Sequence, residues 1–177
     1  MSEKSQSMGP ISFGSRVNAS FFLYSTPGAE ATCGARGALS TLITGQHSHK
    51  NGMKDNRTRF DSSKMTMPKV FQANGYQTAI VGKWHLHSYP TGFDFWKILP
   101  GQGLYVEPRF ISMKGDTSTY HGYATDVITN EAINWMEQRD TNKPFVLHIH
   151  HKAPHRYFLA PLKYIEEYHR KTFPEPP

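Results

Sequence analysis

Cysteine is almost absent from the chain. The single residue, Cys33, allows no internal disulfide, so it is either a small buried side chain or a reactive thiol. Long apolar runs are also missing, and no stretch reaches the eighteen or so residues that span a membrane. The first ten residues, Met1 to Pro10, lack the apolar core of a secretory leader. Either the protein resides in the cytoplasm or an export signal lies outside this sequence. No block of Lys and Arg occurs, which argues against nucleic acid even though the charge balance is basic. Acidic residues are the minority, 14 Asp and Glu against 20 Lys and Arg, and ten histidines add to the cationic potential. A net charge of +6 favours anionic partners such as phosphate or sulfate esters and acidic glycans.

What is present is material for one domain. The 177 residues are 13% aromatic, enough to build a core beside long polar connections. Residues 1–12 read as a disordered lead, and 13–177 as the domain. Val17–Tyr24 is a plausible strand, broken by Pro27-Gly28. Ala38, Leu39, Leu42 and Ile43 fall at helical spacing and predict a helix over 36–43. Residues 46–53 read as a His-rich loop, and 54–64 as a charged, exposed connection. A second helix runs from Met67 to its glycine stop at Gly75. Gln77–Val81 is a buried strand. Residues 88–121, rich in Gly, Pro and aromatics, read as a long loop with one short strand over 105–111. Tyr123–Gln138 carries the clearest amphipathic helix, Phe145–His150 is a further strand, and Leu162–His169 a last helix.

Helices alternating with strands predict an α/β fold with a mainly parallel sheet. Ligands of such sheets sit at the carboxyl ends of the strands. Both of the best strands end in basic clusters, Lys83-Trp-His85 with His87, and His150-His-Lys-Ala-Pro-His155. If both strands are parallel members of one sheet, the clusters share an edge. A transition-metal site is one reading of these imidazoles. The adjacent lysines and the lack of nearby carboxylates suit a sulfuryl or phosphoryl group better, with lysine as point charge and histidine as donor. The plain alternative is a strand exit carrying solvated charges. His148, inside the apolar run, reads as a core residue.

Several segments together resemble the formylglycine-dependent sulfatases of the alkaline-phosphatase superfamily, in particular bacterial glycan sulfatases of the N-acetylglucosamine-6-sulfatase-like group. They are Thr44-Gly-Gln-His-Ser-His-Lys-Asn-Gly52, Gly75-Tyr-Gln-Thr-Ala continuing to Gly82-Lys-Trp-His85, Pro90-Thr-Gly-Phe-Asp-Phe-Trp96, Leu99-Pro-Gly-Gln-Gly103, Gly122-Tyr-Ala-Thr-Asp126, and Lys143-Pro-Phe with His151-Lys-Ala-Pro-His-Arg156. The resemblance implies an alkaline-phosphatase-like sheet flanked by helices, truncated at both ends, and a sulfuric ester hydrolase acting on sulfated glycans. It implies that Lys83 and His85 contact the sulfate and the leaving oxygen, and that His155 is a further contact and proton donor. Gln102, Lys152 and His87 would meet the substrate. Calcium is implied as cofactor, but most of its ligands are missing from this chain. Relatives are periplasmic, secreted or lysosomal. The oligomeric state is open.

The nucleophile segment departs from the family pattern, in which a cysteine or serine precedes an arginine and then Leu-x-Thr-Gly. Counting back from Thr44-Gly45 puts the nucleophile on Ala35 and the arginine on Leu39. Cys33 and Arg36 are both present and are the catalytic candidates of this segment, but out of that register. A helix turns about 100° per residue, so such a shift moves a side chain to another face. Cys33 serves as nucleophile if a loop before the helix absorbs the shift; otherwise the motif is broken, and the chain is a non-catalytic remnant that binds sulfated glycans. The family's first strand and its paired aspartates are likewise missing before Phe13, which predicts a gap in the sheet.

Overall fold

The computed structural model describes residues 20–24 and 30–175, with side chains from Arg36 onward. The disordered lead expected over 1–12, and residues 17–19 of the first expected strand, lie outside the described residues. A six-stranded sheet forms the centre. Its strands are β1 (Ser20–Tyr24), β2 (Gln77–Lys83), β3 (Phe95–Leu99), β4 (Arg109–Ser112), β5 (Thr117–Thr119) and β6 (Phe145–His150). The spatial order is β1-β6-β2-β3-β4-β5. The pairs β1–β6, β6–β2 and β2–β3 are parallel, and β3–β4–β5 is an antiparallel meander. The fold is thus α/β with a mainly parallel sheet. The expected gap does not appear among the described residues, because β1 lies directly beside β6.

Helices α1 (Glu30–Thr44), α2 (Ser48–Asn51), α3 (Met67–Ala73), α4 (Ala124–Gln138) and α5 (Leu162–Tyr168) complete the described elements. Side chains of a strand alternate between the faces of its sheet, and this alternation divides the core in two. From β2, Ile80 joins Trp96 and Ile98 of β3 and Leu39 and Ile43 of α1 on one face. Its neighbours Ala79 and Val81 join Leu99, Leu147 and Ile149, and Val127, Ile128 and Ala132 of α4, on the other. A strand covered on both sides reads as a continuous apolar run, as β2 and β6 do. His148 points to the α1 side, edge-on to Phe93 with ring centroids 5.5 Å apart, and is buried in the core as expected.

The region 88–121 differs most from expectation. It holds three strands, not a long loop with one strand over 105–111, and the expected strand overlaps β4 only at its end. Phe95-Trp-Lys-Ile-Leu99 does alternate and is β-prone, but its partner β2 lies upstream across a crossover, so local reading undervalues it. At the amino end, α1 begins six residues before the predicted start. A single turn, α2, interrupts the expected His-rich loop.

Gly82 sits where β2 leaves the sheet. It pairs with His150 in register and has φ +109°, a conformation that L side chains avoid. A Cβ there would collide with the His150 backbone carbonyl. Gly82→Ala is expected to destabilise the fold by about 3 kcal/mol or more, from backbone strain and overpacking together. Urea unfolding checks this, and a midpoint within experimental error of wild type would refute the close-approach argument.

Candidate active site

Because β2 and β6 are parallel neighbours, their carboxyl ends coincide. The register runs to Gly82 opposite His150, so Lys83–His87 and His151–His155 leave the same edge. The expectation that the two basic clusters converge is met. The expectation that the backbone stays extended past Gly82 is not: β2 ends at Lys83, and both His85 (φ +52°) and His87 (φ +58°) are left-handed. Non-glycine residues pay strain for that conformation and keep it only where packing enforces it. Here Trp84 and Leu86 are buried in the core, which pins the turns between them. The Trp84 indole N–H also donates to the Ser88 carbonyl at 2.6 Å.

His85 is half-buried and held by α1. Arg36, itself buried, donates from Nη2 to His85 Nε2 at 2.9 Å and from Nη1 to the Asn56 carbonyl. Arginine only donates, so Nε2 must accept and the ring proton sits on Nδ1. That Nδ1 has no hydrogen-bond partner. Burial, then the Arg36 charge, then Lys83, His87 and His155, push the His85 pKa down to about 4. The imidazole is therefore neutral at neutral pH.

The register count from Thr44-Gly45 is corrected here. Leu39, the counted arginine position, is buried in the core, whereas Arg36, one turn earlier, reaches the site. No loop precedes Arg36 to absorb a shift, since α1 runs unbroken from Glu30 through Cys33 and Arg36 to Thr44. The Cys33 side chain lies outside the described residues.

A pocket of about 950 Å³ opens at this edge, lined by His85, Gln102, Lys152 and His155 among the expected residues. Sequence reading missed Asn56, Leu104, Tyr105, Arg156 and Tyr157 on its walls. Tyr105 ties the walls together. Its hydroxyl donates to the His155 carbonyl, and the Lys152 ammonium lies 4.6 Å from its ring centroid. Lys152 is buried and donates from Nζ to the Gln102 carbonyl at 3.0 Å, so it braces the loop as well as charging the wall; burial lowers its pKa. The one available signal for Tyr105 was an aromatic following the Pro-Gly-Gln-Gly turn. His155 donates from Nδ1 to the Arg156 carbonyl at 2.7 Å, which leaves Nε2 as its other ring nitrogen. His87 does not line this pocket; it faces a smaller one that shares His85 as a wall. Lys83 is not on the pocket lining either, but lies close enough for its charge to depress the His85 pKa.

Behind the site, His150 donates from Nδ1 to the Lys83 carbonyl at 3.1 Å. Burial, opposed by that hydrogen bond and reinforced by His151, brings the His150 pKa down to about 4; burial and His150 bring His148 to about 3.

Neither Asp nor Glu lines the pocket. Calcium takes oxygen ligands, carboxylates foremost. Among the described residues no cluster of three or more His, Cys, Asp and Glu is arranged to hold a metal. The described residues do not fit calcium, and no step is derived through it. Nor is any helix among them long and apolar enough to cross a membrane.

The site is thus a cationic, carboxylate-free pocket at the carboxyl edge of a mainly parallel α/β sheet, where ligands of such sheets sit. The Sulfatase family model matches residues 26–175, and the chain belongs to that family. It is 46% identical over 152 residues to an N-acetylglucosamine-6-O-sulfatase of Bacteroides thetaiotaomicron, which covers 81% of this chain and 27% of that protein. An ulvan-active sulfatase of Formosa agariphila is 30% identical over 142 residues, 73% of this chain and 28% of the relative. A solved structure of BT4656 in complex with its substrate D-glucosamine-2-N,6-O-disulfate superposes with a TM-score of 0.78 at 45% identity, covering 82% of this chain and 30% of that one. The chain thus spans between a quarter and a third of the length of these relatives.

Two outcomes are expected. Arg36→Gln removes the nearest like charge, so the His85 pKa should rise from about 4 part of the way toward 6.5, since burial remains the larger cause. Histidine NMR titration reads this, and an unchanged pKa would break the Arg36–His85 link. Separately, His85, His148 and His150 all titrate lower when folded than the ordinary 6.5. As pH falls from about 6.5 to 4, the unfolded chain binds protons that the folded chain refuses, so stability is full at neutral pH and is lost through that window. Denaturation at pH 7 and pH 5 should show the drop, and His148→Leu should shrink it.

Proposed function

We propose that the chain carries the sulfate-handling part of a sulfuric ester hydrolase for sulfated amino sugars in glycans. The observation that carries this reading is the convergence of His85, Lys152 and His155 on one pocket without a carboxylate, at the joint end of β2 and β6. A sulfate ester is a monoanion with oxygens that accept several donors, and the charged side chains on this wall, Lys152 and Arg156, are both cationic. The similarity to an N-acetylglucosamine-6-O-sulfatase supports a 6-sulfated amino sugar as the ligand.

In this reading, the ester's S–O bond to the sugar breaks, water's oxygen ends on sulfur, and a proton goes to the sugar oxygen. Neutral His85, held in place by Arg36 and with its Nδ1 buried, forms part of the pocket wall that faces the sulfuryl group. Lys83 supplies a compact positive charge at the strand end. His155, with Nδ1–H on the Arg156 carbonyl, presents Nε2 to the pocket as the nitrogen through which a proton would pass to the leaving oxygen. Arg36, buried, adds charge beside His85. By the family resemblance, the attacking group would be a hydrated formylglycine, whose making from Cys33 needs an oxidant from outside the chain; α1 leaves no loop to bring Cys33 into the family register, so this part of the reading rests on the resemblance alone.

A second reading shares the pocket. With the nucleophile segment out of the family register, the site binds sulfated glycans without turning them over. One experiment separates the two. Titration of the chain with 6-sulfated N-acetylglucosamine should show binding, weakened about tenfold or more by Lys152→Ala, which removes a cation from the wall, or by His85→Ala, which removes the wall itself. Release of inorganic sulfate, together with an intact mass matching an aldehyde at Cys33, selects the hydrolase. Binding with an unmodified thiol and no release selects the remnant. No binding of the sulfated sugar would refute both.

A further inference from the structure

The loop that carries His155 has little packing of its own. Arg156, Tyr157, Phe158 and Leu159 are all exposed. Phe158 is left-handed at φ +51°, a conformation that strains a bulky residue and persists only where neighbouring contacts enforce it. Its side chain is 73% exposed, so packing is not what enforces it. The contacts that do are two tyrosine hydroxyls, one at each end of the stretch. Tyr105 donates to the His155 carbonyl, and Tyr123 donates to the Leu159 carbonyl at 2.7 Å. The two rings stack, with centroids 5.9 Å apart and planes 23° apart. Backbone contacts fix the pair. Val106 bridges to Tyr123, the Ala124 N–H donates to the Tyr105 carbonyl at 2.8 Å, and the Glu107 N–H donates to the Gly122 carbonyl at 2.9 Å. Tyr123 is also the cap from which α4 starts, and α4 packs Val127 and Ile128 into the core beside β2 and β6. The tyrosine pair is therefore referenced to the same sheet that positions His85.

We infer that Tyr105 and Tyr123 form a paired clamp, two positioning residues that set where Lys152 and His155 stand around a sulfuryl group in the larger pocket. The inference rests on the proposed reading of that pocket. Both hydroxyls are engaged by backbone carbonyls, so the pair acts through the loop. A carbonyl only accepts, so each phenol must donate, and burial raises both phenol pKa values, which keeps the protons in place. The bond at His155 fixes the backbone from which the imidazole projects. The bond at Leu159 fixes the far end, so the exposed stretch between them cannot swing away from the sheet. Lys152 is placed from the same platform, with its ammonium 4.6 Å from the Tyr105 ring centroid and bonded to the Gln102 carbonyl at 3.0 Å. Hydrogen bonds weaken steeply with misplacement, so donors for an anion gain from being held before it arrives.

The variants Tyr105→Phe and Tyr123→Phe, made in the full chain, test this. Each keeps its ring in the stack and removes one donor. Affinity for 6-sulfated N-acetylglucosamine should fall about three- to tenfold in either variant, the contribution of one hydrogen bond. In the double variant the fall should be smaller than the product of the two single falls, because one lost anchor already frees the loop. Amide hydrogen exchange, read without ligand, should quicken at Phe158 in each variant and stay unchanged in β2. A lower urea midpoint with unchanged affinity would assign the tyrosines to stability alone and overturn the inference. A double variant that loses the full product, or Phe158 exchange that matches wild type in both variants, would overturn the clamp and leave the reading of the pocket standing. If the wild-type chain does not bind the sulfated sugar, the reading of the pocket fails and the positioning role fails with it.

Discussion

The parallel pairing of β2 with β6 is the constraint on which the site depends. It brings two segments more than sixty residues apart in the chain to one edge, and it ends where Gly82 meets the His150 carbonyl. Only a residue without a Cβ allows that approach. One step later the His150 ring donates to the Lys83 carbonyl, so backbone and side chain close the same contact. The histidine and lysine clusters then diverge from a shared base, and the pocket is the space between them.

This base is buried, and its electrostatics follow. Imidazoles placed in apolar surroundings near guanidinium and ammonium groups stay neutral. His85 is fixed by Arg36 as a neutral ring with its proton on Nδ1, while Lys152 spends its hydrogen bond on the opposite loop and rests on Tyr105. The wall is cationic without being a row of solvated charges. Desolvated donors hold an anion more strongly than exposed ones, because water does not compete for them. The same burial lowers the pKa values of His85, His148 and His150, which ties the stability of this edge to pH.

The positive-φ turns at His85 and His87 belong to this economy. Trp84 and Leu86 enter the core and leave the intervening histidines on the outside. In an extended strand His85 and His87 would share one side and one pocket. The left-handed turns place His85 between two pockets and His87 at the second. A single dividing side chain gives the edge two compartments, both free of carboxylates.

Much of this was legible in the residues. The buried strands Gln77–Val81 and Phe145–His150, the helix near 123–138, the basic strand exits and the family motifs all rest on local pattern, where side-chain periodicity and composition speak directly. The β3–β5 meander was not legible, because short strands are stabilised by partners far away in the chain. Arg36 was a candidate from its type and place near Cys33, although counting along the motif pointed to Leu39; only the packing of Leu39 into the core and of Arg36 onto His85 shows how the segment is placed. Tyr105, as the brace between His155 and Lys152, required knowing which loops meet. Sequence alone therefore determined the fold class, the chemistry of the two strand ends and the family, since these follow from residue type and order. Tertiary structure alone decided that Arg36 packs onto His85, which histidines share a pocket and where the second compartment lies, since these depend on contacts across the sheet that no local pattern encodes.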